Sequence, residues 1–222
     1  MIAKLITWGE TREEAIDAQI AAGKLEVDVA ILQTIPDFVR WKAEGQLLVF
    51  KPAGFEEIDA SFKDADGAYW ATMVNAVPYM YNTEKVAAAD IPNSAQDFLK
   101  PQFHGKVVTP YPADDDVTMW VFFHIVQKHG WGWMDKYMAT KPNFIQGHLG
   151  QQRSIGAGPN LVTFDSIYNI TTLLKKQKLP VESHFATEDA TPIWPLTGAI
   201  FKSAPHPTAA KLFLSWLLEP EQ

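Results

Sequence analysis

The 222-residue chain contains no cysteine. That excludes a disulfide scaffold, thiolate metal sites and cysteine nucleophiles, and it leaves the redox compartment open. Positive charge is also scarce: 19 Lys and Arg stand against 26 Asp and Glu, for a net charge of -7. Neutralising a phosphate backbone takes clustered Lys and Arg, so nucleic acid is excluded as a partner. No run of about 20 apolar residues is present, so no segment reads as a membrane-spanning helix. The opening "MIAKLITWGE" lacks the apolar core and small-residue cleavage site of a signal peptide. Enzyme signatures are missing as well. There is no phosphate-cradling glycine loop and no HExxH pair, and Ser166 in "FDSIY" lacks the glycines that flank a nucleophile elbow. His124 and His129 are five apart and lie on different faces of a helix, so no histidine pair has metal-ligand spacing.

What is present is a globular composition, 47% hydrophobic and 20% charged, in a chain long enough for one large domain or two small lobes. Eight tryptophans exceed what a core of this size needs, so some are expected to line a cleft. The order of elements follows a βα rhythm. Thr11 and Glu14 form a capping box before a short helix carrying Ala15, Ala18, Ile20 and Ala22. "VDVAIL" is a continuous apolar run of the kind found in buried parallel strands. Pro36 opens a helix that Gly45 closes. "GAYWATMVNAVPYMYNT" is an aromatic strand, interrupted by Pro78 where a central strand position is excluded. "NSAQDFLK" reads as a capped helix, and "VTMWVFFHIVQ" and "WGWMDKYMAT" as two more. "GQQRSIG" reads as a loop, "NLVTFDSIYNITTLLKKQ" as a strand and a helix with a basic end, and "TPIWPLTGAIF" as a strand before a closing helix. Trp120, Trp131, Trp133 and Trp216 sit at helical spacing and are assigned to cores.

The stretch "YPADDDVTMW" places Asp114, Asp115 and Asp116 where a helix begins. Two readings stand. Carboxylates at a helix N-terminus stabilise its dipole by roughly 0.3–1 kcal/mol each. Alternatively, one or two of them reach into a binding site and select a cation or an amine, with Asp165 adding charge from a later loop. An anion there would be repelled by on the order of a few kcal/mol per close pair.

"GAIFKSAPHPTAAKLFLSWLLEPEQ", "GAYWATMVNAVPYMYNTEKV" and "DFLKPQFHGKVV" together resemble bacterial ABC-transporter solute-binding proteins, of the ferric-ion and thiamine-like subset of the type II periplasmic binding class. The resemblance implies an α/β fold of two lobes, residues 1–76 plus 188–222 and residues 77–187, joined by two crossover strands around an interlobe cleft. It implies a periplasmic or extracellular, non-enzymatic monomer that hands a small-molecule or metal ligand to an ABC permease. Segments usual in the family would precede Met1, with "LITWGE" as the family's second strand, and others would follow Gln222.

Segment matching puts five places at the cleft: Gln33 and Thr34; Trp70 and Asn75; Asp114 to Thr118; Asp165, Ser166 and Tyr168; and Trp194 with Thr197. Arg153 is a further candidate that would offset the acids. Trp70, Tyr168 and Trp194 are read either as aromatic walls for a flat or cationic ligand or as core residues. No cofactor is implied beyond a bound metal ion, for which Asp115, Asp165 and Tyr168 are the candidate ligands. By the resemblance, ferric-binding members carry a carboxylate where Gln33 stands and a tyrosine pair in the Asp165 to Tyr168 segment, where this chain has Ser166, Ile167 and Tyr168 and so at best one phenol. The favoured ligand is therefore a cation, a metal ion or an organic amine, with a small anion or phosphorylated solute, or a degenerate non-binding relative, as the alternatives.

Overall fold

The computed structural model describes residues 12–219. The Thr11 half of the expected capping box and the "LITWGE" strand lie outside them. The chain divides into two compact units, residues 1–74 with 195–222, and residues 75–194.

Unit 1 begins with α1 (Arg12–Ala21), β1 (Val29–Leu32) and α2 (Ile35–Ala43). Pro36 lies in the first turn of α2, where its missing N–H costs nothing, and Gly45 closes the turn after it at φ 71°. β2 (Trp70–Ala76) follows two short 3-10 turns. The chain returns along β8 (Ile193–Ile200), and α7 (Pro207–Trp216) closes the unit. The strand order is β1-β8-β2. "VDVAIL" does not behave as the parallel strand its apolar run suggests. Its partner among the described residues is β8, antiparallel, with Leu32 opposite Thr197, and its residues alternate between buried and half-buried. One core gathers Phe38, Trp41, Leu47 and Phe201, a second Phe55, Trp70, Ile200 and Leu214.

Unit 2 is built on β3 (Tyr79–Asn82), β4 (Val108–Pro110), β5 (Asn143–Ile145), β6 (Val162–Thr163) and β7 (Val181–His184). β3 is flanked antiparallel by β6 and β7. β4 runs parallel to β5, and Val107 makes a parallel bridge to Val162 at the start of β6. A helix follows each of these three parallel segments: α3 (Asp116–His129) after β4, α5 (His148–Ala157) after β5, α6 (Tyr168–Lys176) after β6. α4 (Trp131–Ala139) packs back on α3. The core is aromatic, with Phe164 ringed edge-on by Phe98, Phe122, Trp133 and Tyr137. Such pairs contribute about 0.5–1.5 kcal/mol each beyond the area they bury.

Three expectations change here. "NSAQDFLK" keeps its capping box, with Ser94 accepting from Gln96 and Asp97 accepting from Ser94, but it winds as a five-residue 3-10 turn. "GQQRSIG" is no loop: it is the body of α5. Among the tryptophans assigned to cores, Trp133 is buried, stacked on Tyr137 at 5.0 Å. Trp131 at 73% exposure and Trp216 at 44% are surface residues, because they fall on the outer sides of α4 and α7.

Candidate functional site

Because β4, β5 and β6 run parallel, the loops at their carboxyl ends emerge on one edge of unit 2, and α3, α5 and α6 all begin there. In open α/β sheets this edge is where ligands bind. Helix N-termini supply unpaired N–H groups and a positive dipole end.

Asp115 is the N-cap of α3. Its Oδ1 accepts from the Thr118 amide at 3.0 Å and lies 3.2 Å from the Thr118 hydroxyl oxygen. Its Oδ2 faces Nδ1 of His148, the first residue of α5, at 3.2 Å. The other ring nitrogen of His148, Nε2, lies 3.0 Å from Oδ1 of Asp165, whose Oδ2 accepts from the Thr118 hydroxyl at 2.6 Å. The Asp115 and Asp165 carboxylates and Thr118 thus close a ring around one imidazole. A histidine that meets a carboxylate at each nitrogen donates from both and carries a positive charge. Burial works against that charge, but the Asp165 charge and the hydrogen bonds to Asp115 and Asp165 outweigh it and hold the His148 pKa up, to about 10. Burial likewise works to raise Asp115, and the His148 and Thr118 hydrogen bonds overcome it, holding that carboxyl below its usual range.

Two adjacent glutamines of α5 set the loops around this ring. The Gln151 amide nitrogen lies within hydrogen-bond distance of the Val108 and Asp165 carbonyls and the Thr163 hydroxyl and shares its two protons among them, tying the end of β4 to the loop after β6. Gln152 donates to the Ile167 carbonyl and the Thr171 hydroxyl and accepts from the Ile167 amide, so it fixes the entry of α6 from both sides. Both side chains are fully buried, where an unmade hydrogen bond is costly.

The candidates read from sequence fall into distinct groups. Asp115 and Asp165 come together through His148. Ser166 is buried beside them and donates to the Pro78 carbonyl at 2.7 Å. Tyr168, 42% exposed, stands at the first turn of α6 with its ring 5.7 Å from Phe185. Asn75 accepts from Asn169 on the same helix. Asp114 and Asp116 are exposed at the start of α3. Trp194 makes an edge contact with Trp120. In unit 1, Gln33 and Thr34 follow β1, where Thr34 donates to Asp37 at 2.6 Å, and Thr197 is buried opposite Leu32.

Trp70 is not an aromatic wall in this structure: it is fully buried between Phe50 and Phe55. Arg153 does not offset the acids, because it sits on the exposed face of α5 while Gln151 and Gln152 take the buried one. Asp115, Asp165 and Tyr168 do not converge as a metal triad. The space between the two carboxylates holds the imidazolium, and no group of three His, Asp or Glu side chains among the described residues is arranged for a metal ion. Sequence reasoning missed His148, Gln151 and Gln152. The only local signal was "QGH" after an apolar pair, a glycine at φ 70° leading into a helix.

Comparisons with known proteins bear on the family and the fold. A curated relative, a probable ABC transporter periplasmic-binding protein of Sinorhizobium fredii, is 23% identical over 131 residues, 55% of this chain and 34% of its own length. Among solved structures, the substrate binding protein of an ABC transporter from Agrobacterium tumefaciens superposes with a TM-score of 0.84 at 14% identity, over 94% of this chain and 63% of that one. The periplasmic binding protein AfuA of Actinobacillus pleuropneumoniae, solved with fructose-6-phosphate, gives 0.76 at 21% identity, covering 93% and 67%. Iron-bound HitA of Pseudomonas aeruginosa gives 0.71 at 17%, covering 94% and 69%. These likenesses show the fold, that of the type II periplasmic binding proteins. The family model for bacterial extracellular solute-binding proteins matches residues 28–222, and the chain belongs to that family.

Proposed function

We propose that this protein is the solute receptor of an ABC importer, working outside the cytoplasmic membrane, with the two units as its lobes, and that its ligand is a small organic cation bound at the carboxyl edge of β4, β5 and β6. The observation that carries the cation is the charge at that edge. Asp115 and Asp165 share one imidazolium, so the ring keeps a net negative charge, and the exposed Asp114 and Asp116 add to it. An amine-bearing solute gains from that field, and the phenol of Tyr168 offers a ring face for cation–π contact. A bare metal ion is less favoured than an amine, because the two buried carboxylates are already committed to His148. This sets the receptor apart from its iron-bound structural neighbour.

A second reading has its own support. Neither Gly147 before α5 nor Ile167 before α6 supplies a side-chain cap, and uncapped helix N-termini bind anions. A phosphorylated solute, as in the AfuA structure, is the outcome to test against.

The test is a thermal-shift and calorimetry panel of thiamine, spermidine, choline and ferric citrate against phosphate and fructose-6-phosphate. A ligand at a hundred times its Kd adds about 2.7 kcal/mol of stability. The expected result is a shift with an amine cation that is lost in Asp114→Asn/Asp116→Asn, whose own stability stays within about 1 kcal/mol because both positions are exposed. A response to anions alone sinks the cation and selects the second reading.

A further inference from the structure

Unit 2 contains a cavity of about 200 Å³ that no part of the proposed receptor site uses. It lies along α3, one to three turns beyond the Asp115 cap. Its inner wall is apolar: Val121 and Ile125 on α3, Phe164 after β6, and Pro192. Trp120 and His124 stand on the same side of α3 with ring centroids 3.7 Å apart, and they give the cavity an aromatic flank. His124 and Lys128 are exposed, so the mouth opens to solvent.

Three of the polar groups at the mouth, Lys128, Asp189 and Tyr79, already satisfy one another. Lys128 forms an ion pair with Asp189 and donates to the Glu188 carbonyl. The other oxygen of Asp189 accepts from the Tyr79 hydroxyl and the Ala95 amide, both at 2.6 Å. The Asp189 carboxyl is half-buried, and although burial works to raise it, Lys128, Tyr79 and Ala95 hold it below its usual range. A charged guest would have to break that pair, whereas an uncharged one leaves it intact. An apolar cavity of about 150 Å³ is enough to take up benzene in other proteins.

From this geometry we infer that the cavity beneath Ala190–Pro192 is a second small-molecule site, and that it takes a neutral, planar aromatic ring of phenol or indole size. Its occupant lies between the aromatic flank of α3 and Pro192, three residues before the chain leaves unit 2 at Pro195. The site is separate from the helix N-termini, so its test does not depend on the identity of the transported solute.

The probe is 4-fluorophenol, followed by fluorine NMR on the full chain, with 4-fluorobenzoate and 4-fluorobenzylammonium as charged controls. The expected result is a saturable shift for the phenol and at least tenfold weaker binding of both ions. Ala190→Trp, at an exposed position on the rim, should fill the cavity and weaken the phenol at least tenfold while the far-UV circular dichroism and Tm stay those of the wild type. Trp120→Ala should weaken it too by removing the flank. Should Trp120→Ala not fold, Ala190→Trp decides alone. The inference is overturned if the phenol shift does not saturate, if either charged control binds as tightly, or if folded Ala190→Trp binds the phenol as the wild type does.

Discussion

Replacing His148 with glutamine keeps hydrogen-bonding capacity near Asp115 and Asp165 but removes the cation between them. The side chains involved are 5%, 10% and 0% exposed, so water does little to screen their charges. Raising a histidine from 6.5 to about 10 corresponds to roughly 5 kcal/mol in favour of the protonated form at about 1.4 kcal/mol per unit. Removing one partner of a buried ion pair costs about 3–5 kcal/mol. The expected loss at pH 7 is therefore about 3–5 kcal/mol, or about 10 °C in Tm for a chain of this size.

The pH dependence separates this electrostatic role from simple packing. A histidine raised on folding contributes its full stabilisation below pH 6.5 and loses it as pH rises through about 10. Asp115 is lowered on folding, so its contribution is present above the unfolded value near pH 4 and is lost as pH falls through its folded value. Wild-type stability should thus fall between pH 6.5 and 10, by about 1.4 kcal/mol per unit from this residue. His148→Gln should lack that slope. Urea melts followed by far-UV circular dichroism at pH 5, 7 and 9 measure the loss and both slopes. A loss under about 1 kcal/mol at pH 7, or parallel alkaline slopes for the two proteins, refutes the reasoning.

Further outcomes can be checked in the same melts. Trp70→Ala should cost about 3–5 kcal/mol through the cavity it leaves between Phe50 and Phe55, with the ligand preference of the receptor unchanged. Gln152→Leu leaves the buried Ile167 amide without its acceptor, while the Ile167 carbonyl keeps the Thr171 amide, and should cost about 1–3 kcal/mol. Its neighbour Arg153→Ala should stay within about 0.5 kcal/mol.

The fold was legible where burial is apolar. Pro36, Gly45, the aromatic strands around Pro78 and the stripe of α3 mark their elements, because their pattern and turn chemistry point to the same structure. α5 was illegible for the opposite reason. Its buried face is His148, Gln151, Gln152 and Ile155, three polar residues to one apolar, so neither hydrophobic periodicity nor a strong cap announces a helix. The same composition that hides α5 is what lets it serve as the scaffold of the site. An apolar face could pack on β4 and β6 but could not hold the loops after them by hydrogen bonds.

The three aspartates show where reading by neighbourhood ends. Asp114, Asp115 and Asp116 are chemically alike and adjacent, yet only the middle one turns inward. The helix-end reading of the run holds for that residue. As an N-cap it satisfies the Thr118 amide, the helix-end role, and with its other oxygen it holds a cation. That cation is a residue of the chain itself, 33 positions further on, and its second carboxylate is 17 positions beyond that. Nothing within a helical turn of Asp115 predicts the pairing. It exists because three parallel strands end at one edge and bring the starts of α3 and α5 and the approach to α6 within hydrogen-bond distance. A charge pattern along the chain therefore limits what can meet at this edge, and strand order decides which of those charges are committed to one another: Asp115 and Asp165 close on His148, while Asp114 and Asp116 lie at the exposed start of α3.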